Sequence, residues 1–166
     1  VSSMRGPFSH RHYEVQDVNG NLLGSGSALW VVLDMETHKP VRIQADHLPI
    51  FPERLPICGL AGKVPSQPLE EDAHLYQVKF SDLDLVGHVN NVRYLHWMLD
   101  HMPDAWHEQP MSWLEVNYLG ESFLHDPLRL HFSPHPSNSN LHLIQICRPD
   151  NDEVVCRASW GSGASL

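Results

Sequence analysis

Two carboxylates and a histidine fall within seven residues in Lys79-Phe80-Ser81-Asp82-Leu83-Asp84-Leu85-Val86-Gly87-His88-Val89-Asn90-Asn91-Val92-Arg93-Tyr94. They lie immediately before an apolar helical pattern, whose first N–H groups have no partners inside the helix. Such a terminus carries partial positive charge and free donors, so it can hold the oxyanion that forms when an ester or thioester carbonyl is attacked. A neighbouring carboxylate can then act as general base or nucleophile. The plainer reading of the same residues is structural: an Asp before a helix is commonly a cap, and Asn90-Asn91 can satisfy backbone groups at the turn.

The elements that must position this segment are legible in outline. From His74 to Phe80 the pattern is strand-like, Ser81 to His88 is a polar turn, and 89–102 has helical spacing. Val92, Leu95, Leu99 and Met102 form one apolar stripe, and Pro103 stops the helix. Four strand candidates follow, at 113–119, 128–132, 141–147 and 154–160, an α+β order. Upstream, residues 7–34 read as a long hairpin turning at Val18-Asn19-Gly20-Asn21. Prolines at 40, 49, 52, 56, 65 and 68 make the stretch from Thr37 to Pro68 an extended crossing segment.

Composition narrows the class. The 166 residues hold one domain or two small ones, with 42% hydrophobic residues to build a core. No apolar run reaches the roughly 18 residues of a membrane span. Twenty acidic against eleven basic side chains give a formal charge of -9, which opposes a nucleic-acid partner. Cys58, Cys147 and Cys156 lack zinc-ligand spacing. A loop symmetric about Asn151 and Asp152 sets Cys147 opposite Cys156, where two reduced, packed thiols fit better than a disulfide. With no basic n-region or apolar h-region after Val1, the reading is a cytoplasmic chain without a signal peptide, and a fragment of a longer frame. His10 with His12, and His131 with His135, lack a third ligand at a recognisable interval, so no metal is expected.

The string Asp-x-Asp-x-x-Gly-His-Val-Asn-Asn-x-x-Tyr resembles the helix-entry motif of hotdog-fold thioesterases, and most closely that of the acyl-acyl carrier protein thioesterases. Asp84, Val86, His88, Asn90 and Asn91 stand at the positions of that family's Asp-x-Asn-x-His-x-Asn-Asn motif. Val116-Asn117-Tyr118-Leu119-Gly120-Glu121-Ser122 resembles the strand from which a glutamate joins the site, here Glu121. Residues 8–15 and 27–34 resemble the last strands of a first hotdog unit.

The resemblance implies a tandem hotdog. Residues 1–45 are the C-terminal part of an N-terminally incomplete first unit, 46–72 a crossing linker, and 73–166 a complete second unit with a central helix wrapped by an antiparallel sheet. It implies hydrolysis of fatty acyl-acyl carrier protein in fatty acid biosynthesis, without a cofactor. Asp84, His88 and Glu121 are the catalytic candidates, with the N–H groups near His88 and Val89 at the carbonyl oxygen. Gly87, Val89, Asn90, Asn91, Arg93 and Tyr94 are the substrate-binding candidates. Tyr94 and Trp97 also fit a core role, and Arg93 and Lys79 an ordinary exposed one. The partners are acyl carrier protein and, in one arrangement, a second copy. Two alternatives stand beside this reading: an acyl-CoA thioesterase, and a non-catalytic acyl-binding hotdog protein. The latter is suggested by Val86, which replaces an active-site Asn.

Overall fold

The computed structural model describes residues 3–37, 39–44, 58–69 and 73–162, and the chain divides into two compact units, Val1–Gly62 and Lys63–Leu166. In the first, β1 (Ser3–Arg5), β2 (Phe8–Gln16) and β3 (Leu22–Val31) form an antiparallel sheet in that order. The β2–β3 turn forms where the Asn-Gly pair predicts it. Asp17 Oδ1 accepts from the N–H groups of Asn19 and Asn21 at 2.8 Å each, and Gly20 takes a φ of 84° that most residues avoid. The middle of the predicted crossing linker, 45–57, lies outside the described residues.

The second unit has the α+β order expected of it. Its elements are β4 (His74–Gln77), a 3-10 turn (Phe80–Asp82), α1 (Asn91–His101), α2 (Asp104–His107), β5 (Trp113–Tyr118), β6 (Pro127–His135), β7 (Asn138–Cys147) and β8 (Val154–Gly161). The strands make one antiparallel sheet in the order β4-β6-β7-β8-β5. The strand predicted over 74–80 stops at Gln77, because the Lys79 N–H turns to the Asp82 carboxylate at 2.8 Å. α2 follows Pro103, a turn the sequence reading leaves out.

α1 packs on this sheet through a stripe that matches the predicted one at Met102 and, partly buried, at Leu95. Tyr94, Trp97, Met98 and Met102 are buried against Leu128, Leu130, Ile144, Ile146, Ala158 and Trp160, whereas Val92 and Leu99 are exposed. The aliphatic count finds a helix of the right period but only one edge of its buried face. Tyr94 and Trp97 bring more apolar surface than the aliphatics they displace, and they pack edge to face with centroids 5.1 Å apart.

β7 is buried on both faces, and residues 64–67 cover the one opposite the helix. The Val64 N–H reaches Asn117 Oδ1 at 2.8 Å, and Gln67 Nε2 donates to the His131 carbonyl at 3.2 Å. The compact second unit accordingly starts at Lys63 and takes this stretch with it. A bulge between Ile146 and Cys147 sets Cys156 opposite Ile146 and Cys147 opposite Val154. The predicted opposition of the two thiols is thus corrected, and both are free and buried.

Gly161 closes the sheet between β5 and β7. A Cβ there would stand 2.6 Å from the Asn140 carbonyl oxygen and 2.7 Å from a Leu141 methyl. Gly161→Ala is expected to cost about 1–3 kcal/mol, since backbone must shift to admit it. Urea denaturation with an unchanged slope and a lowered midpoint checks this.

Candidate active site

The motif folds into a closed loop before α1. An isolated antiparallel bridge joins Leu83 to Val89, the Asp84 N–H donates to the His88 carbonyl at 2.8 Å, and Gly87 takes a φ of 90° at the turn. Asp84 organises the loop from within: its Oδ1 accepts from the Val86 N–H at 2.9 Å and the His88 N–H at 3.2 Å. Among the described residues its Oδ2 has no hydrogen-bond partner.

Asn90 is the N-cap of α1, its side chain accepting from the Val92 N–H at 3.0 Å. The structural reading of this residue is therefore realised, with or without a second role. Beside it, the Asn91 N–H has no acceptor among the described residues, and the Asn91 carbonyl accepts from the Tyr118 hydroxyl at 3.2 Å.

The donors expected at the carbonyl oxygen need correction. The His88 N–H is taken by Asp84, and the Val89 N–H donates to the Ser122 carbonyl at 2.9 Å. The Val89 bond fastens the loop to the segment carrying Glu121, and the free donor at this terminus is the Asn91 N–H.

Glu121 comes to the motif from the other side. The Leu119 and Gly120 N–H groups both reach the Val155 carbonyl, and the chain then turns so that Glu121 Oε1 lies 3.7 Å from His88 Nδ1. The Glu121 side chain is 47% exposed, so it meets solvent, while His88 rests edge-on against Phe123 at 5.1 Å. The structure thus brings His88 and Glu121 together at the open end of α1. Val86 is 69% exposed at the loop tip.

Two other candidates sit elsewhere. Arg93 is held by Asp82, its Nη2 at 2.7 Å and its Nε at 2.8 Å from Oδ1. That guanidinium answers a buried carboxylate, a structural task beside the substrate-binding one expected of it. Tyr94 lies in the core, where burial holds its hydroxyl above the usual phenol range.

Asp82, the first of the two carboxylates in the motif, is not among the named catalytic or binding candidates. It is 0% exposed, and its Oδ2 accepts from the Tyr76 hydroxyl and the Lys79 N–H at 2.8 Å each. Burial alone would raise its carboxyl, yet the Lys79 N–H, Tyr76 and Arg93 together hold it below the ordinary value. Burial, with Asp82 alongside, pushes the Tyr76 hydroxyl up to about 12. The Asp82 carbonyl also accepts from the Asn90 N–H at 2.9 Å, so one residue joins strand, loop and helix. Its place in the motif is the only signal that could have found it.

A sequence model of the acyl-ACP thioesterase C-terminal domain matches residues 66–161. Two relatives are similar over 90% of this chain: a chloroplastic acyl-[acyl-carrier-protein] hydrolase of Cuphea viscosissima at 25% identity, and a chloroplastic palmitoyl-acyl carrier protein thioesterase of Cuphea hookeriana at 24%. The chain spans 40% of the length of each. Among solved structures, an acyl-ACP thioesterase from Bacteroides thetaiotaomicron superposes with a TM-score of 0.74 at 23% identity, covering 96% of this chain and 65% of that one. The 12:0-ACP thioesterase from Umbellularia californica gives 0.72 at 20%, covering 96% and 62%. The chain shares the fold of these two proteins.

Proposed function

The chain belongs to the acyl-ACP thioesterase family, and from that premise we propose that it hydrolyses a fatty acyl thioester on acyl carrier protein, releasing the free fatty acid and the carrier thiol. The observation that carries the reading is the approach of Glu121 to His88 at 3.7 Å, together with an Asn91 N–H at the start of α1 that has no acceptor among the described residues. The thioester carbonyl lies over the start of α1 with its oxygen at the Asn91 N–H. Glu121 takes a proton from water as the water oxygen attacks the carbonyl carbon, and collapse of the tetrahedral species breaks the carbon–sulfur bond. The proton then passes to the departing thiolate, with His88 as hydrogen-bonding relay. Asp84 holds the loop through Oδ1 and offers Oδ2 to the site. Gly87, Asn90 and Asn91 line the approach. Water is the only co-reactant, so no cofactor is invoked.

Residues 1–45 are, on this reading, the end of a first hotdog unit and 73–166 the core of the second. Free Cys147 and Cys156 suit a reducing compartment such as the cytoplasm, and no described helix is long and apolar enough to cross a membrane. A second copy of the chain is a further partner under this reading. Release of thiol from acyl carrier protein and from CoA bearing the same long acyl chain tests the assignment: the carrier substrate is expected to have the higher kcat/KM. Preference for CoA makes the chain an acyl-CoA thioesterase. Acyl binding without release from either makes it a non-catalytic binder.

Val86→Asn restores the side-chain amide of the family pattern. Because Val86 is exposed, the amide costs no burial, and stability is expected to change by no more than about 0.5 kcal/mol. Turnover is expected to rise about tenfold, the equivalent of one added polar contact worth about 1.4 kcal/mol. Steady-state kcat and a melting curve on the same variant check both.

A further inference from the structure

Arg148, at the end of the β7–β8 hairpin, gathers three acceptors from separate parts of the chain. Its Nη2 donates to the Glu121 carbonyl at 2.6 Å, its Nη1 to Asp126 Oδ2 at 2.6 Å, and its Nε to Glu153 Oε2 at 3.0 Å. Asp126 Oδ2 also accepts from the Phe123 N–H at 3.0 Å, and the Asp126 N–H returns to the Phe123 carbonyl at 3.1 Å. The loop from Glu121 to Asp126 is therefore closed across its base by one guanidinium. The Arg148 side chain is only 21% exposed, and its charge-assisted bond to Asp126 is better shielded than a surface pair.

The opposite flank of this loop is fixed by the Val89 N–H on the Ser122 carbonyl. Glu121 thus hangs between two backbone anchors, one from the His88 loop and one from Arg148. Its carboxylate accepts no hydrogen bond among the described residues. Its direction toward His88 comes from the backbone these anchors hold, since no donor grips the side chain itself.

We propose that Arg148 is the positioning residue for Glu121, holding the carboxylate at its working distance from His88 through the Glu121 carbonyl and Asp126. The proposal rests on the thioesterase reading for its kinetic consequence and on the loop geometry alone for its structural one. A planar fork can bridge a carbonyl and a carboxylate at once; an ammonium keeps the charge and loses that geometry. Displacement of a catalytic group by about 1 Å can cost on the order of a hundredfold in rate.

The test uses the full chain and its Arg148→Gln and Arg148→Lys variants. Hydrogen exchange is followed over 119–126, and kcat and KM are measured on a long-chain acyl-acyl carrier protein. Exchange at the Phe123 N–H is expected to accelerate about tenfold in both variants. Arg148→Gln is expected to lower kcat about ten- to a hundredfold with KM within about threefold, and to add less than about twofold when Glu121→Gln is already present. Arg148→Lys should recover only a fraction of the loss.

Unchanged exchange across the loop overturns the proposal. So does a kcat loss of the same size with and without Glu121→Gln, the mark of a merely structural bridge. If Arg148→Gln does not fold, Asp126→Ala removes the oxygen that Arg148 and the Phe123 N–H share, opens the same clamp and is read identically. Absence of hydrolysis by the parent chain overturns the thioesterase reading alone; exchange then decides whether Arg148 holds the loop.

Discussion

Glu121→Gln is expected to lower kcat on a long-chain acyl thioester by about 10²- to 10⁴-fold, the range associated with loss of a positioned general base. The substitution keeps the shape and removes only the capacity to take a proton. Its side chain is half exposed and accepts no hydrogen bond among the described residues. Stability should accordingly stay within about 0.5 kcal/mol, and the melting temperature within about 4 °C.

Asp84→Asn is the informative companion. An asparagine retains Oδ1, and with it the bonds from Val86 and His88 that shape the loop. A loss in this variant comparable to that of Glu121→Gln assigns chemistry to Oδ2 rather than to loop maintenance. Retention of more than a third of parental turnover in both variants would remove carboxylate catalysis from this site.

Asp82→Ala is expected to be the most damaging single change to the fold of the second unit, at about 3 kcal/mol and a fall in melting temperature on the order of 10–20 °C. The carboxylate is fully buried with four donors on it. Truncation leaves Arg93, the Tyr76 hydroxyl and the Lys79 N–H without their acceptor. Arg93 is partly exposed, which keeps the estimate at the lower end for a broken buried pair.

The same group fixes the sign of a pH effect. Its folded-state pKa is lowered, so the unfolded chain binds the proton more readily. The contribution of Asp82 is complete above the ordinary aspartate value near about pH 4 and is lost as pH falls through the folded value. Parent and Asp82→Asn melting curves should therefore converge as the solution is acidified from pH 5 downward. A gap that stays constant with pH would exclude ionisation of Asp82 as its source.

How much of this was legible in the sequence depends on the range of the interaction. The Asn19-Gly20 turn, the Pro103 stop and the period of α1 are written in neighbouring residues, and each is found where the residues place it. The face of α1 is only partly so: Val92-Leu95-Leu99-Met102 satisfies the helical period as well as Tyr94-Trp97-Met98, and the sheet takes Met102 and the edge of Leu95 while leaving Val92 and Leu99 exposed. His88 and Glu121 were paired through family resemblance, while nothing local shows that the intervening strand and turn bring them together. Arg148 carries no signal at all, since its partners lie 27, 22 and 5 residues away. The expected donors at His88 and Val89 failed for a related reason. A free N–H is a property of the whole neighbourhood, and Asp84 and Ser122 had already claimed these two.

The short stretch at 64–67, lying across the outer face of the sheet, sets a limit on how the chain can be dissected. Beneath it runs a cross-strand row of Asn117, Arg157, Gln145 and His131, polar groups that find partners partly in that stretch. A chain trimmed to the motif-based start at 73 would open this row to water and leave β7, otherwise walled in on both sides, with one wet face. Transplanting the second unit into another protein therefore means carrying its own cover with it, from residue 63 onward. Chimeras joined between 63 and 73 would inherit a cover shaped for a different sheet.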